Sequence, residues 1–338
     1  MRRLSVFLMG ITLCCASLVC GNGVENIRAV AETSPSVFVG GMSAGFTLKA
    51  GGVQVVGLCE VMTDKGASSP ALRAGMRAGD RILKINGVNI DEIALLNEFV
   101  EKSKGNTLNF TIERANDRID LKVRPEQDKA TKRYKIGILA RDSVSGIGTV
   151  TYLDAVNGRF ASLGHSVVNE NKKELSISNG IVYSCSIVGV SKGVRGKAGE
   201  LRGMFLSDKT LGKADKLCDC GIFGQIDEHF DYTGLTKTLA SSSTVVPGAA
   251  YIYSTVDGVT PKRYEIEIVK VDKGNKENKN YVLKITDEDL IDETGGIVQG
   301  MSGSPILQDG KLVGAVTHVF INDPTRGYGI DIQRMLEE

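Results

Sequence analysis

The sequence predicts a mainly β protein of two domains, with a smaller α+β unit leading and a larger all-β unit following. Three observations carry that prediction. The 338 residues contain 40 glycines and no tryptophan, a composition suited to many short strands joined by tight turns. Asn86-Gly87, Asn157-Gly158 and Asp309-Gly310 each separate two apolar runs, and such pairs favour hairpins because both central residues of the turn take positive φ. The length left after an N-terminal leader suits one domain of about 90 residues and one of about 200.

The leader comes first. Arg2-Arg3 precedes an apolar run from Leu4 to Val19, followed by Cys20-Gly21-Asn22-Gly23, which is the layout of an export signal over residues 1–24. The segment is expected to carry the chain across a membrane, as a cleaved signal peptide or a retained signal anchor, because a run this short is marginal for a stable span. Val19 stands where a lipidated cysteine needs a small residue, so Cys20 is not expected to carry lipid.

Residues 36–125 form the α+β unit. Ser69 to Gly75 reads as a short helix closed by glycine, and Arg77 to Gly87 as a turn, a strand and a second turn. Asp91 to Lys104 reads as an amphipathic helix with Ile93, Leu96, Phe99 and Val100 on one face, and Thr107 to Val123 as closing strands. The string Ala-Gly-x-x-x-Gly-Asp-x-Ile-x-x-Ile-Asn-Gly at 74–87 resembles a PDZ domain. That resemblance implies a peptide ligand. Ser43-Ala44-Gly45-Phe46 is positioned like the PDZ loop whose backbone N–H groups capture a peptide C-terminus, which makes Ala44, Gly45 and Phe46 the candidate peptide-binding residues. Residues 126–138, polar and charged from Glu126 to Lys135, are the expected linker.

The larger unit, residues 139–338, carries the chemistry. In Gly300-Met301-Ser302-Gly303-Ser304-Pro305 the serine is flanked by glycines, whose missing side chains let a carbonyl approach and let backbone N–H groups converge on its oxygen. Ser302 is the candidate nucleophile. Pro305 to Val316 reads as two strands joined by Asp309-Gly310, so the serine precedes a hairpin. A lipase-type elbow needs a helix there; a chymotrypsin-like double β-barrel fits better. The base must be one of three histidines. His165 follows a hairpin running from Gly148 through Asn157-Gly158 to Gly164, where a chymotrypsin-like first barrel delivers its base. His229 sits among charges, and His318, in the strand after the serine, reads as a packed or substrate-lining residue. Spacing does not choose the orienting acid among Asp287, Asp289, Asp208 and Asp154. The chymotrypsin comparison also places the oxyanion hole at the backbone N–H groups of Gly300 and Ser302. Met301 replaces the acid that pairs with a new N-terminus in digestive enzymes, and Gly296, six residues before the serine, replaces the acid that selects Lys or Arg.

Gly295 to Ile306 and Gly314 to Pro324, with Gly146-Ile147-Gly148-Thr149 and Leu163-Gly164-His165, resemble the SpoIVB peptidases, the stage IV sporulation serine proteases of endospore-forming bacteria. The resemblance covers essentially everything after the leader. It implies His165, Asp287 and Ser302 as the triad, and Thr317 as a supporting residue near the serine. It further implies a self-cleaving enzyme, exported into the space between forespore and mother cell. Its substrate there is the membrane-bound regulator of an intramembrane metalloprotease, whose cleavage releases processing of the mother-cell sigma factor. Two other readings stay open: a quality-control protease of the HtrA type, which usually places its protease ahead of its PDZ unit, and a PDZ peptide-binding adaptor with an inactive protease-like domain.

With 41 basic against 40 acidic residues the chain has no global charge for holding nucleic acid. No His-Glu-x-x-His occurs, and with three histidines neither a catalytic metal nor another cofactor is expected. Beyond the leader's Cys14, Cys15 and Cys20, the thiols are Cys59, Cys185, Cys218 and Cys220, whose pairing the sequence leaves open. Lys270 to Lys279 is expected as a solvated hairpin tip, and Ser191 to Gly203 as a mobile, solvated loop.

Overall fold

The computed structural model describes residues 34–167 and 179–338; the predicted leader, with its three cysteines, lies outside them. The leading strands are β1 (Ser36–Val39), β2 (Ser43–Leu58), β3 (Val61–Thr63) and β4 (Gly66–Ser68), followed by α1 (Pro70–Arg73). Next come β5 (Arg81–Ile85), β6 (Val88–Asn89), α2 (Ile93–Lys102), β7 (Leu108–Arg114), β8 (Asp117–Val123), β9 (Glu126–Gln127) and β10 (Tyr134–Lys135). The chain continues through β11 (Ile138–Asp154), β12 (Arg159–Leu163), β13 (Asn179–Ser191), β14 (Glu200–Cys218), β15 (Gly221–Ile226) and β16 (Lys237–Leu239). It ends with β17 (Gly248–Ser254), β18 (Lys262–Val271), β19 (Tyr281–Ile285), α3 (Glu288–Thr294), β20 (Pro305–Gln308), β21 (Lys311–Phe320), β22 (Asp323–Asp331) and α4 (Ile332–Leu336).

The architecture is mainly β, a small α+β domain of the PDZ-like pattern with a double-barrel domain. β2 pairs with β11, β11 with β12, β12 with β15, β15 with β14, β14 with β13, and β13 returns to β2. That ring is the first barrel. β17-β18-β19-β22-β21-β20 closes the second. Where the rings close, the strands are paired on both sides, and each lumen fills with aliphatic side chains, as with Ile252, Ile268, Leu283 and Ile306, all fully buried in the second. Each such side chain contributes about 1.5–3 kcal/mol by leaving water.

The domain boundary differs from the sequence reading. β1 pairs with β11 and β16, and Ser43 to Lys49 of β2 pair with β11 on one edge while Ala44 to Lys49 pair with β13 on the other. Residues 36–49 therefore belong to the double-barrel domain, not to the PDZ unit. The PDZ unit begins in the second half of β2, where Val53 and Gln54 pair with Ile82 and Arg81, and it returns through the first residues of β11. It is an insertion between two strands of the first barrel. Residues 126–138 are not a solvated linker either: β9 and β10 pair, the Tyr134 N–H donates to Glu101 at 2.9 Å, and Ile136 is buried.

Within the insertion the sequence pattern holds. Met76, Ile82, Ile85, Phe110 and Ile112 pack with Leu96 and Val100 of α2. Asn86 and Gly87 both take positive φ in their turn. Asp80 of the PDZ string is fully buried, because Arg114 pairs with it at 2.6 Å and the Arg77 N–H donates to it at 2.8 Å. A buried carboxylate without such partners is strongly disfavoured.

Candidate active site

Ser302 stands on a loop pinned from both barrels. α3 ends at Gly295, whose φ of +77° is the left-handed closure that glycine allows. The Met301 side chain is fully buried in the second-barrel core. From the first barrel, the buried Thr149 hydroxyl donates to the Gly300 carbonyl at 2.8 Å and its N–H to the Ser302 carbonyl at 2.9 Å, while the Thr151 hydroxyl donates to Gly303 at 2.8 Å. Gly303 is obligatory here: its φ is +96° and an added Cβ would lie 2.0 Å from the Thr149 carbonyl oxygen. The sequence reading did not single out Thr149 and Thr151. The available signal was a Thr-x-Thr in the strand leading to His165.

His165 leaves the first barrel after two left-handed residues, Leu163 and Gly164, and faces the same cleft as Ser302. The cleft has a volume of about 580 Å³, and among the described residues none that lines it is Asp, Glu, Lys or Arg. Phe46, Leu48, Ile147, Leu163, Ile297 and Val298 give it aliphatic and aromatic walls. His165 Nδ1 lies 2.8 Å from the Ser166 carbonyl oxygen. A donor there makes Nε2 the free nitrogen. Burial pushes the His165 pKa below its ordinary value of 6.5, with the Ser166 bond opposing, so the ring is neutral near neutral pH and ready to accept a proton. The Ser302 hydroxyl donates to the Thr317 carbonyl at 2.8 Å. Rotation about χ1 must release it before it can turn to His165.

Thr317 thus sits beside the serine, its own hydroxyl donating to the Tyr328 carbonyl at 3.2 Å. His318 also lines the cleft, its ring centroid 5.0 Å from that of His165. His229 is on an exposed turn beside Glu228. Asp287 does not line the cleft. It caps α3: one carboxylate oxygen accepts the Leu290 N–H at 3.0 Å and the other accepts the Glu265 N–H at 3.1 Å. Asp154 holds its own turn through the Val156 and Asn157 N–H groups, and Asp208 and Asp289 are exposed. The structure brings His165, Ser302, Thr317 and Gly300 together and leaves every candidate acid elsewhere.

The N–H groups of Gly300 and Ser302 have no acceptor among the described residues, although their neighbours do: Met301 donates to Val298, Gly303 to Val316 and Ser304 to Met301. Two free amides flanking a nucleophile are what an oxyanion hole requires. The loop at 192–199 departs from the mobile, solvated expectation. Gly193 donates to Thr294 and Gly196 to Ile321 at 2.8 Å each, which brings Ala198 to the cleft wall.

The peptide-binding loop is misplaced in the sequence reading. Ala44, Gly45 and Phe46 lie at the start of β2, paired on both edges, and Phe46 is a buried wall of the cleft that Ser302 lines. No edge remains there for a peptide to join. A groove of about 240 Å³ does run between α2, at Leu96 and Val100, and the segment Tyr134 to Ile138. Gly137 takes φ +78° there, and among the described residues no strand pairs with the edge of β11 opposite β2 from Ile138 to Ala140. Ile136-Gly137-Ile138 before a strand is the local signal that points to it.

Cys59, Cys185, Cys218 and Cys220 are all free thiols. Among the described residues, Cys218, Asp219, Cys220 and Glu338 bring ligand-type atoms within 4.8 Å of one another. None of them lines the catalytic cleft.

The family model described as SpoIVB peptidase S55 matches residues 132–336, and a PDZ model matches residues 64–114. The chain belongs to the SpoIVB peptidase family. It is a serine peptidase carrying a PDZ domain. A Brucella suis protein bearing the name of a zinc metalloprotease is 29% identical over 104 residues, which are 30% of this chain and 27% of that protein, so the chain spans little more than a quarter of that relative's length. Among solved structures, the Rv3671c protease of Mycobacterium tuberculosis in its active form matches at 14% identity and TM-score 0.35, over 57% of this chain and 72% of that one. The PDZ domain of an SdrC-like protein from Listeria monocytogenes matches at 20% identity and TM-score 0.23, over 27% of this chain and 90% of that one.

Proposed function

We propose that this SpoIVB-family peptidase is an exported endopeptidase of regulated proteolysis, in which Ser302 attacks a peptide carbonyl and His165 takes its proton. The N–H groups of Gly300 and Ser302 receive the oxyanion, and His165 returns the proton to the leaving amine. The observation that carries this reading is the convergence of Ser302, a neutral His165 and two unpaired amides on one cleft. The uncharged walls support cleavage beside apolar residues. The groove at Tyr134 to Ile138 is the proposed seat of a peptide C-terminus, its carboxylate held by the amides around Gly137.

Family membership supports the finer role: self-cleavage, then cutting of a membrane-bound regulator of an intramembrane metalloprotease during sporulation, in the space between forespore and mother cell. A second reading draws on one observation. The Ser302 hydroxyl is bonded to Thr317 rather than to His165, which suits a form that stays silent until a partner binds. Reaction of the purified full chain with a fluorophosphonate, read by intact mass, tests both. The proposal expects one adduct on the wild type and none on Ser302→Ala. A folded wild type that takes no adduct, alone or with a PDZ ligand, refutes it.

A further inference from the structure

Away from the catalytic cleft, the β14–β15 turn meets Glu338, which follows α4, and the two gather thiols and carboxylates at one point. We propose that Cys218, Asp219, Cys220 and Glu338 form a structural zinc site that clamps the two barrels together. The inference goes beyond the peptidase reading and does not depend on it.

Cys218 ends β14, Cys220 immediately precedes β15, and Asp219 lies between them. One ligand-type atom from each of these and one from Glu338 all lie within 4.8 Å of one another. Tetrahedral zinc, about 2.3 Å from sulfur and about 2.0–2.2 Å from oxygen, sets its ligand atoms roughly 3.3–3.8 Å apart, so the cluster needs to contract by no more than about 1–1.5 Å. Each thiol already shares its proton with a carboxylate. Cys220 Sγ donates to Asp219 Oδ1 at 3.4 Å, and Cys218 is hydrogen-bonded to the Glu338 side chain. Zinc replaces those two protons: both S–H bonds break, two Zn–S bonds form, and the protons leave to solvent with no change of oxidation state.

An independent observation comes from Asn278, in the β18–β19 turn of the second barrel. Asn278 is 4% exposed, and its Nδ2 donates to the Asp219 carbonyl at 2.8 Å and approaches Cys220 Sγ at 3.8 Å. The Asp219 bond fixes which end of the carboxamide is nitrogen. Its Oδ1 is left buried beside the cluster, with no donor among the described residues. A cation satisfies this orphan acceptor and the four ligand atoms together.

The donor set selects the metal. Calcium and magnesium take oxygen ligands, whereas a mixed set of thiolates and carboxylates in a tetrahedron suits zinc. Lys216 Nζ, 2.6 Å from a Glu338 carboxylate oxygen, holds that side chain at the cluster and offsets part of the negative charge of the filled site. The two thiols belong to the first barrel, while α4 packs Ile332 and Met335 with Leu312, Ala315 and Ile330 of the second. Gly221, next to Cys220, pairs with Leu163 of β12, so the clamp braces the strand that delivers His165.

The test uses the full chain, reduced and freed of metal by chelation, then titrated with Zn²⁺, Co²⁺, Ca²⁺ or Mg²⁺. With zinc at a hundredfold excess over the dissociation constant, the wild type is expected to melt about 5–10 °C higher, and with Co²⁺ to show a thiolate-to-cobalt charge-transfer band. Cys218→Ser with Cys220→Ser is expected to lose both signals. Cys14→Ser, Cys15→Ser, Cys20→Ser, Cys59→Ser and Cys185→Ser together are expected to keep both. Should the Cys218/Cys220 variant fail to fold, Asp219→Asn and Glu338→Gln, both at exposed positions, carry the test. Each is expected to weaken zinc at least about tenfold in competition with a chromophoric chelator. Wild-type zinc affinity in those two variants, or a cobalt band undiminished by loss of Cys218 and Cys220, overturns the inference. So does a reduced wild type that takes up no zinc, or one that calcium or magnesium stabilises equally. None of these readouts uses Ser302, so a failure of the peptidase reading and a failure of the zinc site are told apart.

Discussion

Replacing Gly300 by alanine isolates the oxyanion hole from the rest of the site. Gly300 sits at φ +99°, and a Cβ added there would lie 3.0 Å from Leu201 Cβ and 3.1 Å from its Cδ1. Holding a side chain at such a φ costs about 1–3 kcal/mol. The nearest relief is rotation of the peptide between Gln299 and Gly300, which turns the Gly300 N–H away from the cleft. Loss of one oxyanion donor costs about 2.7–4 kcal/mol of barrier, roughly 100- to 1000-fold in rate. Gly300→Ala is therefore expected to fall by that factor in maximal labelling rate with little change in half-saturation. Its melting temperature should drop by roughly 2–12 °C, since about 1 kcal/mol shifts a domain of this size by roughly 2–4 °C. Wild-type labelling by a folded Gly300→Ala would refute the placement of the hole.

The pH dependence follows from His165. Only the neutral ring accepts the serine proton, so the labelling rate rises with pH through the His165 pKa; because burial lowers that pKa, the midpoint of this limb is expected below pH 6.5. A limb centred above 6.5 would contradict it. The uncharged cleft predicts that peptides with Val, Leu or Ala flanking the scissile bond are cut faster than those with Lys or Asp, by about 10-fold or more from the cost of burying an unpaired charge, measurable with a mixed peptide library. At the PDZ groove, Gly137→Ala would set a Cβ 2.5 Å from the Cys59 carbonyl oxygen. It is expected to abolish binding of a C-terminal peptide in fluorescence anisotropy while leaving Ser302 labelling intact, and amidation of the same peptide should weaken binding to the wild type.

What could be read in the sequence was what is local. Asn86-Gly87 and Asp309-Gly310 adopt the left-handed turns expected of them, and α1 and α2 fall within their predicted ranges. Ser302 and His165 were singled out because glycines constrain the first and only three histidines compete for the second, and the structure sets both on one cleft. Asp287 was assigned by resemblance. Its immediate context, Asp287-Glu288-Asp289-Leu290 closing at Gly295, already spells an N-cap, an acidic first turn and a left-handed stop. The PDZ loop failed for a different reason. Ser43 to Phe46 and Ile136 to Ile138 are both glycine-containing approaches to a strand, and the choice turns on partners far along the chain. Phe46 pairs with Gly146 and Val182, a relation no local pattern encodes.

The same long-range pairing joins the two domains mechanically. β2 and β11 form one ladder that runs from Leu58 and Ile138 beside the PDZ groove to Ser43 and Thr149 beside the nucleophile loop. Phe46 and Leu48 on one strand, and Val144 to Ile147 on the other, are walls of the catalytic cleft. A peptide adding to the edge of β11 at Ile138 to Ala140 would fix the twist of β11 a few residues before it lines that cleft. Thr149 holds the Ser302 and Gly300 carbonyls from the same strand. Saturating C-terminal peptide is therefore expected to change the rate at which fluorophosphonate reaches Ser302, and Gly137→Ala to remove that response without altering the basal rate. An identical labelling rate with and without bound peptide would show that the ribbon holds the domains together but carries nothing between them.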